Sequence, residues 1–192
     1  MRSISVVVSM SLDGVMQAPG RPDEDERGGF DRGGWAAAYG DAVMGQKMGE
    51  GLQKEAELLF GRRTYQDFAG FWPQQTDNPF TPVLDKAQKY VASRTLSEPL
   101  PWQNSTLLTG DAVAAVAALK ESSGPDLVVL GSGDLVQSLR RGGLVDEYML
   151  LIHPLLLGRG SRLFPDGPPA QFRLTDSLST TRGVIIATYQ TS

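Results

Sequence analysis

From Thr106 to Ile152 short apolar runs alternate with helical stretches, and this alternation constrains the fold more than anything else in the chain. Thr106-Leu107-Leu108 reads as a strand, and Asp111 stands where it can cap an Ala/Val-rich helix reaching about Glu121. Leu127–Leu130 is a fully apolar strand. Gly131-Ser132-Gly133 turns it into a helix through Arg140, and Glu147–Ile152 is the next strand. Strands separated by helices line up in parallel, and a parallel sheet needs cover on both faces. The expected class is therefore α/β, with a mainly parallel central sheet and helices on either side.

The flanking segments extend the pattern. Ser3–Ser9 is short and β-branched and reads as a buried first strand. The apolar run Ile4–Leu12 has only Arg2 ahead of it, lacks a small-residue cleavage site and ends in the turn-forming pair Asp13-Gly14, so it reads as a strand and not a leader. Met44–Glu57 has helical composition, Leu58-Leu59-Phe60 is a strand closed by Gly61, and Thr64–Phe71 is helical again. Thr81-Pro82 suits the N-cap and first turn of a helix reaching Gln88, followed by a strand at Tyr90-Val91-Ala92. Phe172–Ser177 and Val184–Tyr189 are expected to close the sheet as an antiparallel hairpin. Between Pro19 and Gly34 lies a polar, Gly-rich segment with Asp23, Glu24, Asp25, Glu26 and Arg27, either a mobile lid or a solvated insertion. No repeat or linker divides the 192 residues, so one domain over 1–192 is expected.

Composition narrows the function classes. A net charge of -4 offers no general attraction to nucleic acid or anionic lipid, although a local basic patch can still hold a phosphorylated small molecule. With no cysteine and a single histidine, His153, the chain has no disulfide, thiolate nucleophile or cysteine-based zinc site, and no metal is expected. No apolar stretch approaches the ~18–20 residues of a membrane span, and a cytoplasmic protein is expected.

Two strand-to-helix junctions carry the candidate chemistry. In Leu130-Gly131-Ser132-Gly133-Asp134-Leu135 the glycines allow close approach to the backbone, and the helix that follows offers free N–H groups and a positive dipole end suited to a pyrophosphate. The third glycine of a G-x-G-x-x-G pattern is replaced by Val136, so a plain tight turn is the competing reading. At Gly61-Arg62-Arg63-Thr64-Tyr65 two guanidinium groups and a hydroxyl stand where a strand meets a helix. Guanidinium groups bind phosphate in bidentate fashion, and the alternative is a solvated basic turn. Ser93-Arg94 closes a third strand and can add another phosphate contact.

These residues resemble a known family. Gly61-Arg62-Arg63-Thr64-Tyr65 is similar to the Gly-Arg-basic-Thr-aromatic motif of dihydrofolate reductases, which holds the 2′-phosphate side of NADPH. Ser93-Arg94 resembles the next strand end of that fold, and Gly131-Ser132-Gly133 its glycine turn under the pyrophosphate. Ser11-Leu12-Asp13-Gly14 is similar to the Ser-x-Asp-Gly motif of the riboflavin-biosynthesis pyrimidine reductase domain. So is Leu144-Val145-Asp146-Glu147 with Pro154, Gly158, Gly160 and Leu163-Phe164 after it. The resemblance runs in order from residue 3 to about residue 190. It implies a dihydrofolate-reductase-like three-layer domain that binds NADPH through Gly61, Arg62, Arg63, Thr64, Ser93, Arg94, Gly131, Ser132, Gly133, Asp134 and Leu135. It also implies hydride transfer to a small heterocyclic, carbonyl or imine substrate and, by analogy, a homodimer. No zinc deaminase domain accompanies it, and the stretch Asp41–Glu50 offers no clear match to the pterin-binding carboxylate.

Asp13, which the family places near the nicotinamide, either positions substrate or relays a proton, or simply bonds its own Asp-Gly turn. Asp41 and Glu50 are either a substrate carboxylate or solvated helix residues. Among Trp35, Tyr39, Phe68, Trp72 and Tyr148, Trp35 is the leading candidate to stack on a flat substrate, with core packing as the alternative. His153 has no G-x-S-x-G elbow to serve, which leaves a serine hydrolase without support. The competing class is a nucleotide-binding protein that keeps the reductase fold without catalysis.

Overall fold

The computed structural model describes residues 1–53 and 55–191. Eight strands form a sheet in the order β4-β3-β2-β5-β1-β6-β8-β7. The chain gathers into two compact units, one made of residues 1–5 and 52–145, the other of residues 6–51 and 146–192.

The first unit holds β2 (Ala56–Gly61), β3 (Lys89–Ala92), β4 (Ser105–Leu108) and β5 (Asp126–Leu130), all paired in parallel as the helix-strand alternation requires. Their apolar residues serve both faces. Leu58, Phe60 and Val91 pack with Tyr65 and Phe68 of α2 (Arg62–Phe71), Leu84 of α3 (Thr81–Lys86) and Trp102. By strand alternation Leu59, Leu127 and Val129, all fully buried, turn to the opposite face. There α4 (Ala112–Glu121) contributes buried Val116, and α5 (Gly133–Arg141) contributes Leu135, Val136 and Leu139. Asp111 caps α4 as expected, accepting from the Ala114 amide at 2.9 Å.

Lys89 is wholly buried, although a lysine in a strand ordinarily reads as exposed. Its Nζ donates to the carbonyls of Asp85, Ala87 and Gln103 at 3.1, 2.8 and 3.0 Å and lies 4.4 Å from the centre of the Trp102 ring. A buried cation is tolerated when its donors are used, and here all three are.

The second unit continues β1 (Ile4–Ser11) and adds α1 (Ala42–Gln53), β6 (Glu147–His153), β7 (Phe172–Ser179) and β8 (Ile185–Thr191). β8 pairs antiparallel with β6 and with β7, which gives the expected terminal hairpin, with a register irregularity between Leu174 and Asp176. Leu151, Val184 and Ile186 are its buried centre, packed with Val7, Tyr39, Met44, Met48, Met149 and Leu178.

Several boundaries differ from the sequence reading. The helix expected over Met44–Glu57 is α1, Ala42–Gln53; Ala56 and Glu57 belong to β2, and Lys54 lies outside the described residues. Glu57 pairs with Leu127 of β5 in the sheet, and its carboxylate forms an ion pair with the buried Arg2 guanidinium. Thr81 does not cap α3: it is the first helical residue, its hydroxyl donates to the carbonyl of Gln75 at 2.8 Å, Phe80 takes the N-cap position, and the helix stops at Lys86. The 19–34 segment is not a bare solvated insertion, because it carries a core. Phe30 packs with Val15, Ala18, Trp35 and Leu157, and the Gln17 side chain donates to the carbonyls of Asp25 and Arg27. Gly33 is needed there, since a Cβ would stand 2.5 Å from the Pro22 carbonyl oxygen.

Candidate cofactor-binding site

In the first unit β3, β2 and β5 are consecutive in the sheet and run the same way, so the segments leaving their carboxyl ends emerge together. Gly61 is level with Ala92, and extending the Leu59–Val129 pairing by two residues sets Gly61 beside Gly131. Gly61-Arg62-Arg63-Thr64, Ser93-Arg94 and Gly131-Ser132-Gly133 therefore share one sheet edge, although up to 71 residues separate the parts that bond. Open α/β sheets bind ligands at such carboxyl ends.

Ser132 locks two of these segments. Its Oγ accepts from the Gly61 amide at 3.0 Å and donates to the Leu130 carbonyl at 3.1 Å, while its own amide donates to the Thr64 hydroxyl at 3.1 Å. Gly131 and Ser132 both have left-handed backbones, with φ of 57° and 53°. Glycine adopts this freely, but serine does so at a cost that its surroundings must over-determine. At Gly131 a Cβ would also come within 3.4 Å of the Thr64 methyl, at the near limit of ordinary packing.

This lock has a consequence for α5. Ser132 occupies the N-cap position, yet its side chain makes no capping bond because it is turned to Gly61. The amides of Gly133, Asp134 and Leu135 precede the helix's own ladder, which begins with Val136 donating to Ser132 at 2.9 Å. α2 starts the same way, with Gly61 as an N-cap that has no side chain to offer. Two uncapped helix starts thus open at neighbouring strand ends. Each presents amides and a positive dipole end, the chemistry that suits phosphate.

Arginines border these amides. Half-buried Arg62 donates to Gln66 at 3.2 Å, and exposed Arg63 pairs with Asp134 at 2.9 Å. Arg94 is exposed, whereas Ser93 is buried and its Oγ accepts from the amides of Thr95 and Leu96, shaping the turn after β3. A phosphorylated dinucleotide fits this set: close backbone approach at Gly131, amides at two helix starts that no side chain caps among the described residues, and guanidinium groups beside them.

Asp13 and Trp35 belong to the second unit. The Asp13 carboxylate accepts from the Ser11 hydroxyl at 2.6 Å and from the amides of Leu157 and Gly158 at 3.0 and 2.7 Å. The Ser11 hydroxyl foremost, then the Leu157 amide, hold it down to about 2. It is ionised at neutral pH and has no proton to give, so the geometry favours an anchoring role for it. Trp35 is only 8% exposed; its Nε1 donates to the Gln17 carbonyl at 2.7 Å, and its ring stands edge-on to His153 at 5.1 Å. Packed in this way it serves the core and has no open face for a flat ligand. Phe68 and Trp72 are half-buried against the core and meet edge-on, and buried Tyr148 stands edge-on to Phe164 and Phe172. Asp41 caps α1, accepting from the Met44 amide at 2.8 Å, and also accepts from the Thr181 hydroxyl at 2.6 Å. Exposed Glu50 accepts from Gln46.

His153, set aside in the sequence for want of a serine elbow, is deeply buried. It is 1% exposed, flanked edge-on by Trp35 and Tyr39, and neither ring nitrogen has a partner among the described residues. Burial pushes it down to about 4, so it is neutral at physiological pH. A lone histidine before a proline carried no signal of this.

The strand order, the parallel pairing and the closing hairpin define a protein with the dihydrofolate-reductase-like fold. More particularly, the chain belongs to the RibD C-terminal domain family, whose model matches residues 2–186. It is 30% identical over 131 residues to the uncharacterized protein YyaP of Bacillus subtilis (strain 168), covering 65% of this chain and 68% of YyaP. Its fold matches the crystal structure of a protein from Shewanella sp. PV-4 described provisionally as a riboflavin biosynthesis protein. The TM-score is 0.74 over 99% of both chains, at 23% identity. Among the described residues no group of three His, Cys, Asp or Glu side chains is arranged to hold a metal ion, and no helix is long and apolar enough to cross a membrane.

Proposed function

We propose that the chain is an NADPH-dependent reductase acting on a small heterocyclic, carbonyl or imine substrate. The observation that carries this reading is the pair of uncapped helix starts, α2 and α5, opening beside Arg62 and Arg63 on adjacent strand ends. Family membership supports it, since the fold is of the reductase type. The amides of Gly133, Asp134 and Leu135 would receive the pyrophosphate, and Gly131 would let it come close. Arg62, with Arg94 at the next strand end, would hold the 2′-phosphate; both are guanidinium groups that stay charged across the physiological range. NADPH, when bound, supplies the hydride; the residues named here hold and orient it. Asp13, already ionised, would keep the turn after β1 in place and contribute a fixed negative charge. The balancing proton then comes from water or from the substrate's surroundings. The reading extends to a cytoplasmic homodimer, whose oligomeric state light scattering on the purified chain tests.

The engagement of Asp13 also favours a second reading, a nucleotide-binding protein without catalysis. Titrating the purified chain with NADPH, followed by its oxidation in the presence of pterins, pyrimidines and simple carbonyl compounds, separates the two. Binding with turnover supports the reductase, binding without turnover on the whole panel supports the second reading, and no binding rejects both.

A further inference from the structure

Asp134 is the second residue of α5, and its carboxylate stands at the helix end where an anionic ligand would sit. A carboxylate there is favoured by the helix dipole and by the same amides that would serve a phosphate. It is also a negative charge that repels one. Arg63 reaches it from α2, Nη1 donating to Oδ2 at 2.9 Å across 71 residues of sequence. The two side chains are 51% and 82% exposed, so the pair contributes little to stability and is screened by salt. Arg62 is differently placed: its partner Gln66 is neutral and lies one helical turn along α2.

We infer that Asp134 limits the affinity of the cradle for anions, and that Arg63 is its counter-ion and not a phosphate ligand. This deepens the NADPH reading and rests on it. The two arginines of one motif then have separate tasks: Arg62 answers the ligand's charge, while Arg63 cancels the charge that α5 itself brings to the site. Removing Arg63 weakens binding because it exposes Asp134 to the phosphates. Removing Asp134 makes Arg63 dispensable.

The test is a double-mutant cycle on NADPH dissociation constants with Arg63→Ala, Asp134→Asn and both together, at low and high salt. Asp134→Asn is expected to tighten NADPH by about threefold and Arg63→Ala to weaken it by about tenfold. In the Asp134→Asn background Arg63→Ala is expected to cost less than about twofold, and all three effects shrink as salt rises. Melting temperatures should fall by no more than about 4 °C, the loss expected for an exposed first-turn carboxylate, which separates an effect on the ligand from one on the fold. If Asp134→Asn fails to tighten binding, or Arg63→Ala costs as much in the Asp134→Asn background as in the unaltered chain, the inference is overturned while the NADPH reading stands. If the unaltered chain does not bind NADPH, both fall.

Discussion

The amide of Gly61 at the end of β2 donates to the Oγ of Ser132 at the end of β5, at 3.0 Å and across 71 residues of sequence. That one bond ties the basic junction to the glycine turn. It also occupies the side chain that would otherwise cap α5, leaving the first amides of the helix open.

Ser132→Ala should therefore act on both stability and binding. The Gly61 amide loses its acceptor, and a left-handed alanine gains nothing in return, so unfolding in urea should show a loss of about 1–3 kcal/mol. Ser132→Gly loses the same bond but relieves the backbone strain, and should cost less. Equal losses for the two variants would show that the backbone at Ser132 stores no strain.

Lys89→Met keeps an unbranched side chain, one atom shorter, and removes its three donors. The carbonyls of Asp85, Ala87 and Gln103 are left facing an apolar thioether, for an expected loss of about 2–4 kcal/mol in urea unfolding. An unchanged midpoint would mean that these carbonyls find other donors.

These two positions show what could be read in the chain and what could not. β5, Gly131 and α5 were legible because strand period, glycine and helix follow one another locally, and Asp111 was legible because a cap acts three residues away. That the strands run in parallel followed from the alternation, whereas their order in the sheet, with β5 beside β2, did not. The roles of Ser132, Lys89 and Thr81 depend on partners distant in sequence or on competing carbonyls, and no local pattern specifies those. The same holds for Trp35 and Phe30: the polar residues around them suggested a solvated loop, while their packing with Val15 and Leu157 is set by tertiary structure. Asp13 was legible as a turn residue, but its two amide donors come from residues 144 and 145 positions further on.

His153 gives the chain a pH dependence with a definite sign. Its folded value of about 4 lies below the ordinary 6.5, so between these values the unfolded chain binds more protons than the folded one. Stability from this group is complete above about pH 6.5 and falls as pH drops toward 4, by roughly 3 kcal/mol in all. His153→Phe keeps a ring and removes the titration. Its unfolding free energy should change less than that of the unaltered chain between about pH 7 and about pH 4.5, a window set by those two values. Parallel profiles for the two proteins would rule out a buried neutral His153. Asp13 and Asp41, both held down to about 2, add their own losses only at still lower pH.

The most direct measurement compares NADPH with NADH on the unaltered chain and on Arg62→Ala. The two cofactors differ only in the 2′-phosphate, so their affinity ratio isolates the group that Arg62 is held to read. The unaltered chain should prefer NADPH. Arg62→Ala should weaken NADPH by about ten- to a hundredfold and NADH by less than about threefold. Equal affinity for the two cofactors, or equal losses on both when Arg62 is removed, would show that Arg62 does not read the 2′-phosphate.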